Sequence, residues 1–85
     1  MAELKMPTAL TIEGFHFFFY SNEHDPIHVH VEYGGGEAVF TVSADGVSLR
    51  KSDGMRIPDL NRAAELAREH RSTIEEKWHE HFKRR

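Results

Sequence analysis

The period of the hydrophobic pattern changes near Pro58, and this change strongly constrains the fold of the chain. Before Pro58, apolar and polar residues alternate in several short segments, which is typical of strands that bury one face. After it, apolar residues recur at steps of three, four or seven, which is typical of an amphipathic helix. Because the two patterns follow one another along the chain, they predict an α+β fold in which a sheet precedes helices.

Alternation also assigns faces to the predicted strands. Over residues 15–20 it separates three odd-numbered phenylalanines from His16, Phe18 and Tyr20, and over residues 28–33 it separates two valines from His28 and His30. Three glycines at 34–36 and the Asp-Gly pair at 45–46 predict turns on either side of another strand. We therefore predict an antiparallel β-meander of about four strands within residues 8–51, which a short strand over residues 10–12 can precede.

The last third of the chain is predicted to be helical over residues 58–83. Pro58 suits a first helical turn because its missing amide hydrogen has no intrahelical partner there. The apolar stripe that should cover one face of the sheet consists of Leu60, Ala64, Ala67, Ile74, Trp78 and Phe82. Two overlapping capping-box patterns begin at Ser72 and Thr73 and favour a break near Arg71. We predict one bent helix or two helices, and prefer two.

Composition limits the functional classes. Eighty-five residues predict one domain, spanning 1–85, with a small core that a protein partner or a homodimer can stabilise further. The chain has no cysteine, which excludes disulfides, thiolate metal sites and a cysteine nucleophile. No apolar run approaches the length of a membrane span, so we expect a cytoplasmic protein that does not enter membranes.

Four of the seven histidines lie within residues 15–31, together with five aromatic residues. If the two strands of this segment pair as a hairpin, their even-numbered residues share one face of the sheet. That predicted face carries His16, Phe18, Tyr20, His28, His30 and Glu32, while His24 falls in the connecting loop. Histidine serves in proton transfer, metal binding and pH sensing, so the cluster is compatible with several functions.

One hypothesis is a simple metal-binding module. His28 and His30 are two residues apart on one strand and can supply two ligands to a divalent metal such as zinc. A third ligand is then expected from His16, His24 or Asp25.

A second hypothesis is an RNA-directed phosphodiesterase. His28 and His30 serve in it as acid and base or as metal ligands, with His16 and Tyr20 as further catalytic candidates. Phe18 and Tyr20 can stack on bases, and the nearest cations in sequence are Arg50, Lys51 and Arg56. The acidic residues Glu23, Asp25, Glu32 and Glu37 oppose a polyanionic substrate.

A third hypothesis is a docking surface for a small protein partner, formed by Phe18, Tyr20, His28 and His30. Aromatic side chains are enriched in the cores of protein interfaces. No residue of the cluster opposes this interpretation.

Several short segments resemble a bacterial family of small proteins, domain-of-unknown-function family 4160. They are Gly14-Phe15, residues 19–24 (Phe-Tyr-Ser-Asn-Glu-His), the Pro26-x-His28-Val29-His30-Val31 segment, Glu37-Ala38 and Trp78. Ile27 stands where relatives often have a second proline. The resemblance implies a partner protein encoded nearby and a toxin-antitoxin-like pair, but no catalytic assignment. With this implication, partner binding becomes our first expectation.

Overall fold

The computed structural model describes residues 5–20 and 26–82, which form one antiparallel sheet followed by two helices. The strands are β1 (Lys5–Ile12), β2 (Phe15–Tyr20), β3 (His28–Tyr33), β4 (Gly36–Ser43) and β5 (Gly46–Asp53). Their order in the sheet is their order in the chain, and each pairs antiparallel with the next. The helices are α1 (Ile57–Glu69) and α2 (Arg71–Phe82). The predicted α+β meander with carboxy-terminal helices is confirmed.

The predicted number of strands was wrong, since the sheet has five strands rather than about four. The additional strand is β1, which begins well before the short segment expected at residues 10–12. β1 contains Pro7, and its pairing with β2 shifts register twice. A proline and irregular pairing are tolerated at a sheet edge, but they remove the regular alternation by which a strand is recognised.

The hydrophobic core lies between one face of the sheet and both helices. The sheet contributes the odd-numbered residues of β2 and β3 and the even-numbered residues of β4, so Phe17, Phe19 and Val31 are fully buried. From the predicted helical stripe, Ala67, Ile74 and Trp78 are buried, while Leu60, Ala64 and Phe82 are partly buried against the core. Ala63 and Leu66 are also buried and complete the helical side of this core.

The helical region divides at His70, one residue before the predicted break. The His70 amide donates to the Leu66 carbonyl at 3.0 Å, and the Ile74 amide donates to the His70 carbonyl at 3.0 Å. Helical hydrogen bonding therefore continues on both sides of the joint, although His70 itself departs from helical geometry, with φ −111° and ψ 25°. Neither of the two described helices is long and apolar enough to cross a membrane.

An exposed ion pair ties the β1–β2 turn to α1. Arg62 donates to both carboxylate oxygens of Glu13, including Nε to Oε1 at 2.9 Å, and also donates to Glu65 at 2.9 Å. The hydrogen bond from Arg62 lowers the pKa of Glu13 below its usual value of 4.5. The turn is thereby linked to the helical layer, although solvent and salt screen such exposed pairs.

We expect Glu13→Gln to lower the Tm modestly at neutral pH and low salt, because it removes the charge that faces Arg62. Since the folded-state pKa of Glu13 is lowered, the pair stabilises the protein above the unfolded-state pKa and is lost as pH falls through the folded-state value. Thermal unfolding in an acid series should show the two proteins converging below about pH 4.5. A Tm difference that persists unchanged in acid or in high salt would contradict this electrostatic origin.

Candidate functional site

The face of the sheet opposite the core collects the side chains that alternation had grouped together. We call it the second face, and define it by His16, Phe18, Tyr20, His28, His30, Glu32, Glu37, Val39, Lys51 and Asp53. Strand register arranges eight of these residues in two rows that run across β2, β3, β4 and β5. Residues in a row are direct cross-strand partners, so their side chains are close neighbours.

The first row consists of Phe18, His30, Val39 and Lys51, in that order across the sheet. Phe18 is fully buried although it points away from the main core. Its ring stacks on His30 with centroids 5.4 Å apart, and Tyr20 approaches His30 edge-on with centroids 4.4 Å apart. The His30 side chain is only 13% exposed. This row is an aromatic and aliphatic floor that ends in a lysine.

The second row consists of His16, Glu32, Glu37 and Asp53. Three carboxylates thus stand beside one another on neighbouring strands, an arrangement that normally destabilises a sheet. His16 Nδ1 lies 3.5 Å from Glu32 Oε1, and His30 Nδ1 lies 3.4 Å from Glu37 Oε2. Glu32 and Glu37 remain about 40% exposed. The second row therefore presents concentrated negative charge to the solvent.

Two concavities border these rows. The first has a volume of about 410 Å³, and its chemically functional lining is Tyr20, His28, His30, Glu37, Lys51 and Asp53. The second has a volume of about 560 Å³ and is lined by His16, Glu32 and the glycines of the β3–β4 turn. Glu37 and Asp53 line both concavities. Both histidines of the Pro-x-His-x-His segment therefore face the first concavity.

His28 lies at the start of β3. Its Nδ1 is 2.8 Å from the carbonyl oxygen of Pro26. A carbonyl only accepts hydrogen bonds, so Nδ1 carries the proton in this contact and Nε2 carries the lone pair of the neutral ring. The His28 ring centroid is 6.1 Å from that of His30 and 6.1 Å from that of Trp78. The backbone around Pro26 thus sets the tautomer of a histidine that lines the first concavity.

The metal-binding hypothesis receives no support from the described part of the chain. Across residues 5–20 and 26–82, no group of three His, Asp or Glu side chains is arranged to hold a metal ion. The proposed ligands His16, His28 and His30 are in these ranges, whereas His24 and Asp25 lie outside the described residues.

Sequence reasoning missed the contribution of β5 to this site. The register between β4 and β5 shifts between Val39 and Phe40, and beyond the shift Lys51 pairs with Val39 and Asp53 with Glu37. Lys51 is one of the cations that the sequence places near the cluster, whereas the pattern gives no indication of Asp53. At such an irregularity, the odd-numbered residues of a strand change from one face of the sheet to the other. Alternation alone cannot locate the position of this change. Of the other predicted cations, Arg50 and Arg56 are exposed but do not line the first concavity.

Comparison with known proteins confirms the family that the sequence resembles. The model of the family "Domain of unknown function (DUF4160)" matches residues 14–79, which is well over half of the chain. No curated protein and no solved structure matches the chain significantly. The match extends from the turn before β2 into the last turns of α2, and so covers both rows of the second face. The chain therefore belongs to the DUF4160 family.

Proposed function

We propose that this protein is a partner-binding module, one half of a toxin-antitoxin-like pair, and that a small basic protein docks on its second face. The observation that carries this proposal is the three carboxylates of the second row, which lie beside the first row on the same face. Glu32, Glu37 and Asp53 oppose one another on successive strands, and only Lys51 among the defining residues of this face has a permanent positive charge.

Adjacent carboxylates favour a partner that brings positive charge. Lysine or arginine side chains placed over the second row would relieve the repulsion among the three acidic groups. Charge-assisted hydrogen bonds to carboxylates are stronger than neutral ones and fix orientation as well as affinity. Because Glu32 and Glu37 are about 40% exposed, they are accessible to such side chains.

Tyr20, which is partly exposed and packs edge-on against His30, provides the accessible apolar part of the proposed interface. The first row supports it, since His30 stacks on Phe18 and both Phe18 and Val39 are buried. Interfaces typically have an aromatic or aliphatic centre and a polar rim, and Tyr20 and the carboxylates of the second row provide these two elements on one face. The family resemblance supports the same interpretation, since it implies a small protein encoded beside this one.

The test is association with the protein encoded next to this gene. We expect the two purified proteins to form a complex, and the double variant Glu37→Lys, Asp53→Lys to weaken it at least about tenfold, since reversed charges repel a basic partner. Isothermal titration calorimetry measures the change in Kd.

The matched control is the double variant Glu76→Lys, Glu80→Lys, which reverses two exposed charges on α2 and should leave the Kd unchanged. Absence of a complex between the folded proteins, together with no effect of expression on growth, would overturn the proposal. Equal weakening by this α2 variant and by Glu37→Lys, Asp53→Lys would show that general charge, and not the second face, drives association.

A further inference from the structure

We infer that the first concavity is an acid–base site that cleaves single-stranded RNA without a metal, with His28 as base and His30 as acid. The inference goes beyond partner binding and does not depend on it. It rests on two histidines with different surroundings, a lysine and a tyrosine, all of which line one concavity of about 410 Å³.

His28 has the tautomer that a general base requires. Its Nδ1 is fixed by donation to the Pro26 carbonyl at 2.8 Å, so the neutral ring accepts a proton at Nε2. In catalytic histidines, the hydrogen-bond partner of one ring nitrogen commonly fixes both the tautomer and the orientation of the ring.

His30 has the surroundings of a general acid. Its Nδ1 lies 3.4 Å from the Glu37 carboxylate, which compensates the positive charge of a protonated ring. Phe18 and Tyr20 pack on the ring and restrict its orientation. The 6.1 Å between the centroids of His28 and His30 places the two rings side by side, so that one can approach the attacking oxygen and the other the leaving oxygen of one phosphodiester.

The inferred reaction is internal transfer within RNA. The 2′ oxygen attacks the adjacent phosphorus while its proton passes to Nε2 of His28, and the bond from phosphorus to the 5′ oxygen breaks. His30, entering as the imidazolium, gives a proton to that leaving oxygen. The products are a 2′,3′-cyclic phosphate and a 5′-hydroxyl, so the step balances without any co-reactant. DNA lacks the attacking hydroxyl and is excluded as a substrate.

Lys51 and Tyr20 are assigned to substrate binding. Lys51 is the cation of the first row and lines the concavity, where it can pair with a phosphate oxygen. Tyr20 offers a ring on which a base can stack, which suits single strands whose bases are unpaired.

Glu37 and Asp53 also line the concavity, and their charges repel a phosphate. This repulsion leads to a different expectation for the neutral variant of each acidic residue. Asp53→Asn should lower KM severalfold with little change in kcat, because Asp53 is assigned no part in proton transfer. Glu37→Gln should lower both KM and kcat, because Glu37 also faces His30.

The experiment uses a single-stranded RNA oligonucleotide in EDTA, together with its 2′-O-methyl counterpart. We expect a 2′,3′-cyclic phosphate product from the first and no cleavage of the second. His28→Ala and His30→Ala should each lower kcat/KM at least about 100-fold, the usual contribution of a general acid or base.

His79→Ala is the matched control, since His79 is exposed on α2 and outside the concavity. His30→Gln is a second variant in case His30→Ala unfolds, and circular dichroism monitors folding throughout. If folded wild-type protein makes no cyclic phosphate, or if His28→Ala cleaves as well as His79→Ala, the inference is wrong. Failure here leaves the association experiment unaffected, so the two proposals can be distinguished.

Discussion

Gly36→Ala should destabilise the fold by about 3 kcal/mol, the upper range for inserting a methyl group where there is no space. A Cβ at this position would lie 2.5 Å from the Gly54 carbonyl oxygen and 2.6 Å from the Met55 nitrogen. These are backbone atoms, so no side-chain rotation relieves the contact. For a domain of this size we expect a fall in Tm of more than about 10 °C, measured by thermal unfolding.

Gly34→Ala is the control, because it tests glycine loss without crowding. Gly34 has a positive φ of 58°, but no atom lies within 4 Å of a Cβ placed there. It should therefore cost only about 1 kcal/mol, the strain of a left-handed conformation. Equal losses of stability in the two variants would show that the close contact of Gly36 with residues 54–55 is not what destabilises Gly36→Ala.

The same contact matters for the second face. Gly36 precedes Glu37, and Gly54 follows Asp53, so the close backbone approach joins the two chain segments at the end of the carboxylate row. The start of β4 is thereby held against the connection from β5 to α1. We infer that this glycine contact helps to impose the opposition of Glu37 and Asp53, which side-chain electrostatics alone would disfavour.

Much of the fold could be predicted because the pattern of apolar and polar residues in the sequence agrees with the burial of these residues in the structure. Val29 and Val31 are buried, and His28 and His30 face the first concavity, as alternation over residues 28–33 predicts. The helical stripe places Trp78 in the core by the same logic. The period of these elements is regular throughout their length. Once their buried face is known, every residue can therefore be assigned to the buried or the exposed side.

The remaining features could not be predicted because they depend on pairing between distant segments. The second row exists only because His16 pairs with Glu32, Glu32 with Glu37 and Glu37 with Asp53, and this register is a property of three strand pairs together. The shift after Val39 then brings Asp53 into the row. Alternation predicts the face of a residue within its strand, but not its neighbour on the next.

Phe18 is buried on the face of β2 opposite the main core, which alternation does not predict either. Phe17 and Phe18 are consecutive and both fully buried, although they point to opposite faces of β2. Phe17 belongs to the main core, whereas Phe18 packs among His16, Tyr20 and His30. In a sheet with one solvated face, alternation leaves one of two such neighbours in solvent. Because both are buried here, both faces of this sheet carry packed aromatic side chains.

We therefore expect Phe18→Ala to cost about 3 kcal/mol, close to the cost of Phe17→Ala, because both remove a fully buried ring. Chemical denaturation of the two variants gives the comparison, and Thr11→Ala at an exposed position of β1 is the control, with an expected change below about 0.5 kcal/mol. A Phe18→Ala loss as small as that of Thr11→Ala would mean that its ring contributes no packing energy. The floor of the second face would then be a surface feature without a structural role, and the fixed orientation inferred for His30 would lose its physical basis.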